Sequence, residues 1–188
     1  MINHVYIIAE AGVNHNGRLD LALQLCNAAK DAGADAVKFQ TWKTEKIVTR
    51  NAELAVYQEN NISDKTKSQF KMLKELELSY DNFEVVKNHC DEIGIQFLST
   101  PDEIDSLDFL CNFNLPFIKL GSGDVTNIPF LRLVGSRHID VVLSTGMSYL
   151  GDVEIAYRTL IEAGAKSVSL LHCTTNYCLL YTSDAADE

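Results

Sequence analysis

Short apolar runs alternate with longer amphipathic stretches along most of the chain, and this alternation limits the folds that the sequence can adopt. The run VYIIAE has the β-branched and aromatic content of a strand, and RLDLALQLCNAAKDAG follows it with helical spacing. The whole pattern predicts strands at 5–10, 34–41, 95–101, 116–124, 140–147 and 167–174, and helices at 18–33, 66–78, 80–94, 103–114, 128–137 and 151–164. A polar stretch at 41–65 interrupts it. Strands that alternate with helices indicate an α/β fold with parallel strands.

Two architectures suit this order of elements, a doubly wound sheet and a (β/α)8 TIM barrel. Each predicted strand turns polar towards its C-terminal end, as at Glu10 and Lys38, and a barrel gathers all such ends around one mouth. A doubly wound sheet usually carries a Gly-rich phosphate turn after its first strand, and EAGVNHNG at 10–17 lacks that spacing. The sequence therefore favours a TIM barrel. A complete barrel needs eight βα units and this sequence supplies about six, so the predicted barrel is truncated.

Composition excludes several classes of partner. The formal net charge of −10 argues against nucleic acid and against a basic membrane-binding surface. No apolar run is long enough to span a membrane. The N-terminus leads into VYIIAEAG without a basic segment or a cleavage-like site, which predicts no signal peptide and a cytoplasmic protein. The five cysteines form no CxxC pair, so we expect reduced thiols.

Two lysines lie inside apolar runs, Lys38 in AVKFQ and Lys119 in FIKLG. A structural interpretation is that they extend to solvent, or that Lys38 pairs with Glu10. The functional interpretation is anion capture, in which two ammonium groups hold a phosphate and a carboxylate. Backbone N–H groups of the GSGD and STGM segments would assist, together with three hydroxyl groups from predicted strand ends. These hydroxyls belong to Thr100, Ser122 and Ser144.

Four other polar residues near the strand ends allow more than one interpretation. Glu10 could pair with Lys38, or could bind a polyol or transfer a proton. Asp124 is either a second carboxylate at the mouth or a turn residue. His15 is expected to be a solvated loop residue, and His172 alone does not make a metal site. The residues thus indicate a barrel enzyme for a small phosphorylated carboxylate, with a Schiff-base nucleophile at Lys119 as the alternative.

Six motifs, taken together, resemble a known family. They are IIAEAGVNHNG, GADAVKFQT, FLSTP, KLGSGD, VVLSTGM and LLHCTTNYC. In this order they resemble the sialic acid synthase family, the phosphoenolpyruvate-dependent nonulosonate synthases, over residues 5–177. The segments NAELAVYQ and LKELELSY are similar to the bacterial branch that includes N-acetylneuraminate and N,N′-diacetyllegionaminate synthases. The resemblance implies a TIM-barrel enzyme.

The resemblance also implies a reaction. Members of this family condense phosphoenolpyruvate with an N-acetylated hexose such as N-acetylmannosamine, and they release phosphate by C–O cleavage. A divalent metal, typically Mn²⁺, activates the open-chain aldehyde. Two other hypotheses stay open, a Schiff-base class I aldolase that uses Lys119 and a non-catalytic anion-binding fragment. Full-length members are usually homodimers, which we expect here as well.

Site residues follow from the matching motifs. The resemblance implies that Glu10, Lys38 and Lys119 are catalytic, with Glu10 beside the sugar and the reacting carbons. It implies that the substrates are bound by a further set, in which Gln40 lies near Glu10 and Tyr177 contacts the sugar. Thr175 occupies the position where some members have an Asn that contacts phosphoenolpyruvate, and Asn176 follows it, so either side chain could make this contact. The complete substrate-binding set is Gln40, Thr100, Ser122, Ser144, Thr175 and Tyr177.

The last eleven residues do not fit the resemblance. The string CLLYTSDAADE at 178–188 reads as a translated sequencing adapter, so we expect the native sequence to end at Tyr177. The predicted domains are a partial TIM-barrel synthase domain at 1–177 and a non-native tail at 178–188. The histidine metal ligands of the family lie beyond this point, so we expect no metal ligand in this chain. We expect the chain alone to be inactive, because an open barrel leaves strand edges exposed.

Overall fold

The structure, a computed structural model, describes residues 4–52 and 68–173. The chain divides into two compact units, Met1–Leu115 and Pro116–Glu188. Each unit contains one parallel sheet with helices packed against it.

The first unit contains a three-stranded sheet in the order β1-β2-β3, with both pairs of strands parallel. Its strands are β1 (Ile8–Gly12), β2 (Ala36–Thr41) and β3 (Gln96–Pro101). Its helices are α1 (Leu19–Asp31), α2 (Thr44–Ile47), α3 (Gln69–Leu76), α4 (Tyr80–Ile93) and α5 (Ile104–Cys111). Ser79 caps α4 by accepting the N–H of Asn82, and Gly94 ends it at a φ of 71°.

Aromatic rings form the core between this sheet and its helices. Phe39 of β2 stacks on Phe97 of β3 with ring centroids 5.9 Å apart, and Phe83 of α4 meets the edge of both rings. All three side chains are buried. Since successive strand residues point to opposite faces, Lys38 and Gln40 lie on the face of β2 turned away from this core.

The short helix α2 lies in the polar stretch where the sequence predicted no helix. Its first residue, Thr44, donates through both its N–H and its hydroxyl to Glu77 Oε2, at 2.9 and 2.7 Å. The hydroxyl of Thr44 also accepts a hydrogen bond from the indole of Trp42. The helix therefore depends on a carboxylate 33 residues away in sequence, a contact that local periodicity does not reveal.

The second unit contains a three-stranded sheet in the order β4-β5-β6, also parallel throughout. Its strands are β4 (Ile118–Leu120), β5 (Asp140–Ser144) and β6 (Ser167–Leu171), and its helices are α6 (Ile128–Gly135) and α7 (Leu150–Ala163). A single 3-10 turn, Ser122–Asp124, follows β4. The two helices approach closely at Gly135, where an added Cβ would lie 2.6 Å from the carbonyl oxygen of Leu160.

The predicted α/β class with parallel strands is confirmed. All six predicted strands are present among the described residues, and they pair as two three-stranded sheets. Within residues 4–52 and 68–173, the structure contains no helix with the length and apolarity needed to cross a membrane. The predicted boundary at Tyr177 and the tail at 178–188 lie outside the described residues.

Candidate functional site

Polar strand ends of the first unit gather on one face of its sheet. The register places Glu10 of β1 beside Lys38 of β2, and Gln40 of β2 beside Thr100 of β3. Paired residues of adjacent strands share a face, so these four side chains project from the side opposite the aromatic core. The structure therefore brings together the four candidate residues that the sequence placed in this unit.

Lys38 and Glu10 form an ion pair with an Nζ–Oε2 distance of 2.5 Å. Lys38 is only 7% exposed, whereas the Glu10 side chain is 37% exposed. The strand is irregular between Glu10 and Gly12, and Gly12 has a φ of 50°, which a residue with a side chain rarely adopts. Lys38 thus carries a buried positive charge whose partner stays accessible to water, and the predicted pairing with Glu10 is present.

Two hydroxyl groups join the ends of β2 and β3 on the opposite face. Thr41 Oγ1 and Ser99 Oγ are 2.7 Å apart, and both side chains are buried. A buried hydrogen bond of this kind fixes the relative position of the strand ends. It lies directly behind Gln40 and Thr100 and therefore holds the polar face in register.

The loop residue His15 differs from the prediction. The sequence indicated a solvated histidine, but His15 is fully buried beside Phe39, with ring centroids 6.1 Å apart. Its Nδ1 accepts the N–H of Gly17 at 3.0 Å, and its Nε2 has no hydrogen-bond partner in the described part of the chain. Burial lowers the pKa of His15 to about 4, so the ring is neutral near pH 7. The prediction was wrong because loop packing on Phe39 is a tertiary effect.

A second buried lysine lies in the other unit. Lys119 of β4 is 6% exposed, and its Nζ donates to Ser144 Oγ and to the carbonyl oxygen of Leu120, each at 2.6 Å. The register pairs Lys119 with Val142, two residues before Ser144, so Lys119 and Ser144 share a face of the sheet. The buried residues Leu120 and Leu143 occupy the other face.

Hydrogen-bond donors at the ends of β4 and β5 converge in this unit. Ser122 Oγ accepts the N–H of Gly146 at 2.9 Å and lies 3.4 Å from the sulfur of Cys173. Burial alone would raise the pKa of the Cys173 thiol, but donors from Ser122, Thr145, Ser144 and Gly146 lower it overall. We call Ser122, Ser144, Thr145 and Gly146 the donor cluster. In the described residues Gly146 N–H donates to Ser122 Oγ, and Thr145 donates through its N–H and its hydroxyl to the carbonyl oxygen of Leu171, so an anion bound at the donor cluster would replace these acceptors.

Cys173 was not among the site residues predicted from the sequence. The donors that surround its sulfur come from segments separated along the chain by more than twenty residues. A sequence signal existed in the polar ends of β4 and β5, but nothing in the sequence shows that they meet at this thiol.

Asp124 lies in the turn after β4, close to Lys119. Burial raises the pKa of its carboxyl group to about 6, although hydrogen bonds from Gly121 and Asn127 and the charge of Lys119 act in the opposite direction. The sequence left Asp124 either as a turn residue or as a second carboxylate of the site. The structure shows a half-buried carboxylate in the same unit as the donor cluster.

Replacement of Asp124 by asparagine should stabilise the fold at neutral pH. The native pKa is raised above the unfolded value, so the stability that the carboxyl contributes is present below pH 4 and is lost as pH rises through about 6. As pH rises from 4 to 7.5, wild type should lose stability that the variant keeps. The unfolding free energy of Asp124→Asn minus that of wild type should therefore increase by roughly 2 kcal/mol. Urea unfolding at both pH values measures this. A difference that does not change with pH contradicts the prediction.

Three candidates remain. His172 is exposed and lines a cavity of about 580 Å³ with Thr145, Met147 and Tyr149 among its other walls. Thr175 and Tyr177 lie outside the described residues. Within 4–52 and 68–173, no group of three His, Cys, Asp or Glu side chains could hold a metal ion. The described residues therefore do not fit the metal that the resemblance implies.

Solved structures show which class of protein has this fold. The chain superposes on the N-acetylneuraminic acid synthetase of Leptospira borgpetersenii, solved in complex with citrate, with a TM-score of 0.76 and 29% identity. The match covers 93% of this chain and 56% of that one. A truncated 3-deoxy-D-arabino-heptulosonate 7-phosphate synthase from Thermotoga maritima gives a TM-score of 0.62 at 14% identity, over 93% of this chain and 54% of that one, which indicates a shared fold alone. The chain is thus an α/β protein structurally similar to sialic acid synthases.

Sequence comparisons assign the family. The sequence profile of the NeuB family matches residues 25–183, and the chain belongs to the NeuB family. It is 43% identical over 180 residues to N,N′-diacetyllegionaminic acid synthase of Legionella pneumophila, covering 94% of this chain and 50% of that protein. It is 36% identical to N-acetylneuraminate-9-phosphate synthase of Drosophila melanogaster, covering 94% of this chain and 47% of that protein. The chain spans about half the length of the curated relatives it matches.

Proposed function

We propose that this chain supplies the phosphoenolpyruvate-binding part of a synthase that makes a nonulosonic acid. The second substrate would be an N-acetylated hexose, N-acetylmannosamine or a relative, and the second product would be phosphate. Support comes from the names of the relatives, which include diacetyllegionaminic acid and N-acetylneuraminate-9-phosphate synthases. The family assignment supports a condensing enzyme, and we propose its two substrates from the resemblance.

The observation that carries the proposal is the pair of buried lysines. Lys38 and Lys119 each lie on the sheet face turned away from the aromatic or aliphatic core of their own unit. Burying an ammonium group is costly, and each lysine has partners in its own unit, Glu10 for Lys38 and the acceptors Ser144 Oγ and Leu120 O for Lys119, which a bound anion could join. Phosphoenolpyruvate offers both a phosphate and a carboxylate. Each unit therefore offers its own candidate anion ligands, Lys38 and Thr100 in the first and Lys119, Ser122 and Ser144 in the second. We propose, from the family resemblance, that all five bind phosphoenolpyruvate.

The proposed reaction balances without a covalent enzyme intermediate. Carbon C3 of phosphoenolpyruvate attacks the aldehyde carbon of the sugar and forms the new C–C bond. Water adds at C2, and the resulting tetrahedral intermediate loses phosphate as its C–O bond breaks. Lys38 and Lys119 would stabilise the negative charge of the phosphate and carboxylate throughout. Glu10 would lie beside the sugar, where its carboxylate can accept a proton or a hydroxyl hydrogen bond.

An isotope experiment tests the proposed bond cleavage. The whole protein is supplied with an N-acetylated hexose and with phosphoenolpyruvate carrying ¹⁸O in the bridging C–O–P oxygen. C–O cleavage transfers the label to phosphate, which mass spectrometry of the released phosphate detects. Label retained in the organic product would show P–O cleavage instead. No turnover with N-acetylmannosamine, its 6-phosphate or diacetylated relatives would contradict the proposed substrate class.

The same protein can be tested for the Schiff-base alternative at Lys119. The Lys119 Nζ donates to two oxygen acceptors at 2.6 Å, an arrangement that suits an ammonium ion. Schiff-base formation instead requires a neutral amine whose lone pair attacks the carbonyl carbon. We therefore expect borohydride to trap no pyruvate adduct. A trapped adduct that disappears in Lys119→Ala would replace the proposed mechanism with that of a class I aldolase.

Several finer expectations belong to the same proposal. The architecture would be the first six units of a (β/α)8 barrel in a cytoplasmic homodimer of bacterial origin. Gln40 would lie near the sugar, and Thr175 and Tyr177 would contact the substrates from outside the described residues. A divalent metal, Mn²⁺ by family resemblance, would need ligands from outside residues 4–52 and 68–173. A crystal structure of the whole protein with substrate tests these expectations together.

Phosphoenolpyruvate should protect Cys173 from alkylation. The donor cluster surrounds the Cys173 sulfur, so an anion bound there would compete for the same donors and cover the thiol. At a phosphoenolpyruvate concentration about ten times its Kd, we expect iodoacetamide to modify Cys173 roughly tenfold more slowly, because only about a tenth of the protein then has an uncovered thiol. Peptide mass spectrometry measures the rate, and Cys111 provides an internal control that should not change. Equal rates at Cys173 would contradict anion binding at the donor cluster.

A further inference from the structure

Two buried cysteines meet between helices of the first unit. Cys26 of α1 and Cys90 of α4 are both fully buried, and their sulfur atoms are 3.5 Å apart. They are separated by 64 positions in the sequence, so their approach results from the packing of the two helices. The cysteine spacing predicted only that these thiols are reduced.

The helices around these thiols are held in a fixed register. One residue after Cys26, Asn27 Oδ1 lies 2.8 Å from His89 Nε2, one residue before Cys90. One turn further along α1, Lys30 Nζ donates to the carbonyl oxygen of Gly94 at 2.8 Å. These contacts flank the thiols on the same helix pair. The two sulfur atoms are therefore adjacent in the native state, and a disulfide between them does not require the chain to unfold.

Small residues make the close approach of the helices possible. Ala22 and Ala29 lie four before and three after Cys26, and all three are buried on one face of α1. From the 3.5 Å separation, a disulfide requires the sulfur atoms to move together by about 1.5 Å. Rotation of the two side chains, with a small adjustment of helices that meet through alanines, can supply a movement of this size.

We propose that Cys26 and Cys90 form a redox-responsive cross-link that locks α1 against α4. With a peroxide as the oxidant, the Cys26 thiolate attacks one oxygen of the peroxide, giving a sulfenic acid and hydroxide. The Cys90 thiol then condenses with this sulfenic acid, forming the S–S bond and releasing water. In total, two thiols and one peroxide give one disulfide and two waters. A dithiol reductant reverses the step by thiol–disulfide exchange.

The hydrogen bond between the thiols assigns the order of events. The Cys90 S–H donates to the sulfur of Cys26, which lowers the pKa of Cys26. The same bond, together with burial, raises the pKa of Cys90. Cys26 is therefore the first sulfur to react and Cys90 the resolving thiol. Because both are buried, the reaction should follow local opening of the helix pair and should be slow compared with an exposed thiol.

Peptide mapping of the full 188-residue chain tests the proposal. After incubation with hydrogen peroxide, remaining thiols are alkylated in denaturant and the chain is digested without reduction. We expect a cross-linked peptide pair that contains Cys26 and Cys90 and disappears after dithiothreitol. The Tm should rise by roughly 10 °C, since the bond closes a long loop, and should return on reduction.

Matched variants separate this cross-link from other oxidation products. Cys26→Ala and Cys90→Ala should each lose the shift in Tm, whereas Cys111→Ala should keep it. If Cys26→Ala or Cys90→Ala fails to fold, the peptide map of the unaltered chain is sufficient to test the proposal. Recovery of Cys26 and Cys90 as separate alkylated peptides after oxidation, or their cross-linking to a different cysteine, would overturn the proposal.

Discussion

Lys119→Met is expected to weaken phosphoenolpyruvate binding by roughly 100-fold, because it removes a buried positive charge and keeps the volume of the side chain. In the native protein this charge is held by Ser144 Oγ and by the carbonyl oxygen of Leu120. An incoming phosphate or carboxylate oxygen can accept a further hydrogen bond from Lys119 Nζ, or it can take the place of Ser144 Oγ as an acceptor. Methionine offers no donor, so the anion would be buried without its main partner.

Titration calorimetry on the variant and on wild type measures the loss. Lys166→Met is the matched control, because Lys166 is an exposed lysine of the same unit and should leave the affinity within about twofold. A thermal scan shows whether each variant is folded. If folded Lys119→Met bound phosphoenolpyruvate as tightly as wild type, Lys119 would be a structural residue and the proposed function would lose its strongest support.

The two units use a similar local arrangement around their lysines. In each, the lysine lies in a middle position of a buried strand and points away from the core, and its charge meets an oxygen from the adjacent strand. That oxygen belongs to the carboxylate of Glu10 for Lys38 and to the hydroxyl of Ser144 for Lys119. The difference matters chemically. The contact of Lys38 is with a full negative charge, whereas Lys119 donates to the neutral Ser144 hydroxyl and lies near the half-buried carboxyl group of Asp124.

Sequence patterns predicted the strands and their polar ends because each depends on local composition. Lys38 and Lys119 stand out because a lysine is rare inside an apolar run, and the pairing of Lys38 with Glu10 followed as one of two interpretations. The register that places Gln40 beside Thr100 is a long-range property, and so is the pairing of the strands into two sheets. Neither leaves a signal in any single segment.

Features that the sequence did not reveal all depend on contacts between distant segments. Helix α2 is held by Glu77, and His15 is buried by packing beside Phe39. The Cys173 thiol is surrounded by donors from two loops. In each case the residue itself is unremarkable in its local context, and its partner decides its role. Such residues can be found only once the fold brings the partners together.

Gly17→Ala is expected to cost roughly 3–5 kcal/mol of unfolding free energy, through a clash that side-chain movement cannot relieve. Gly17 has a φ of 72°, and an added Cβ would lie 2.0 Å from the carbonyl oxygen of Glu75. That oxygen belongs to the backbone of α3, so either the loop or the helix must move. The loop follows the strand that carries Glu10, and its displacement should also disturb the ion pair with Lys38.

Gly33→Ala isolates the clash from the backbone strain. Gly33 has a similar φ of 80°, but no atom lies within 4 Å of an added Cβ. This variant therefore bears only the cost of a left-handed alanine, about 1–2 kcal/mol. Urea unfolding of both variants measures the difference, which should be at least about 2 kcal/mol. Equal losses would show that the loop before α1 can move away from α3, and that the position of His15 and Glu10 does not depend on this contact.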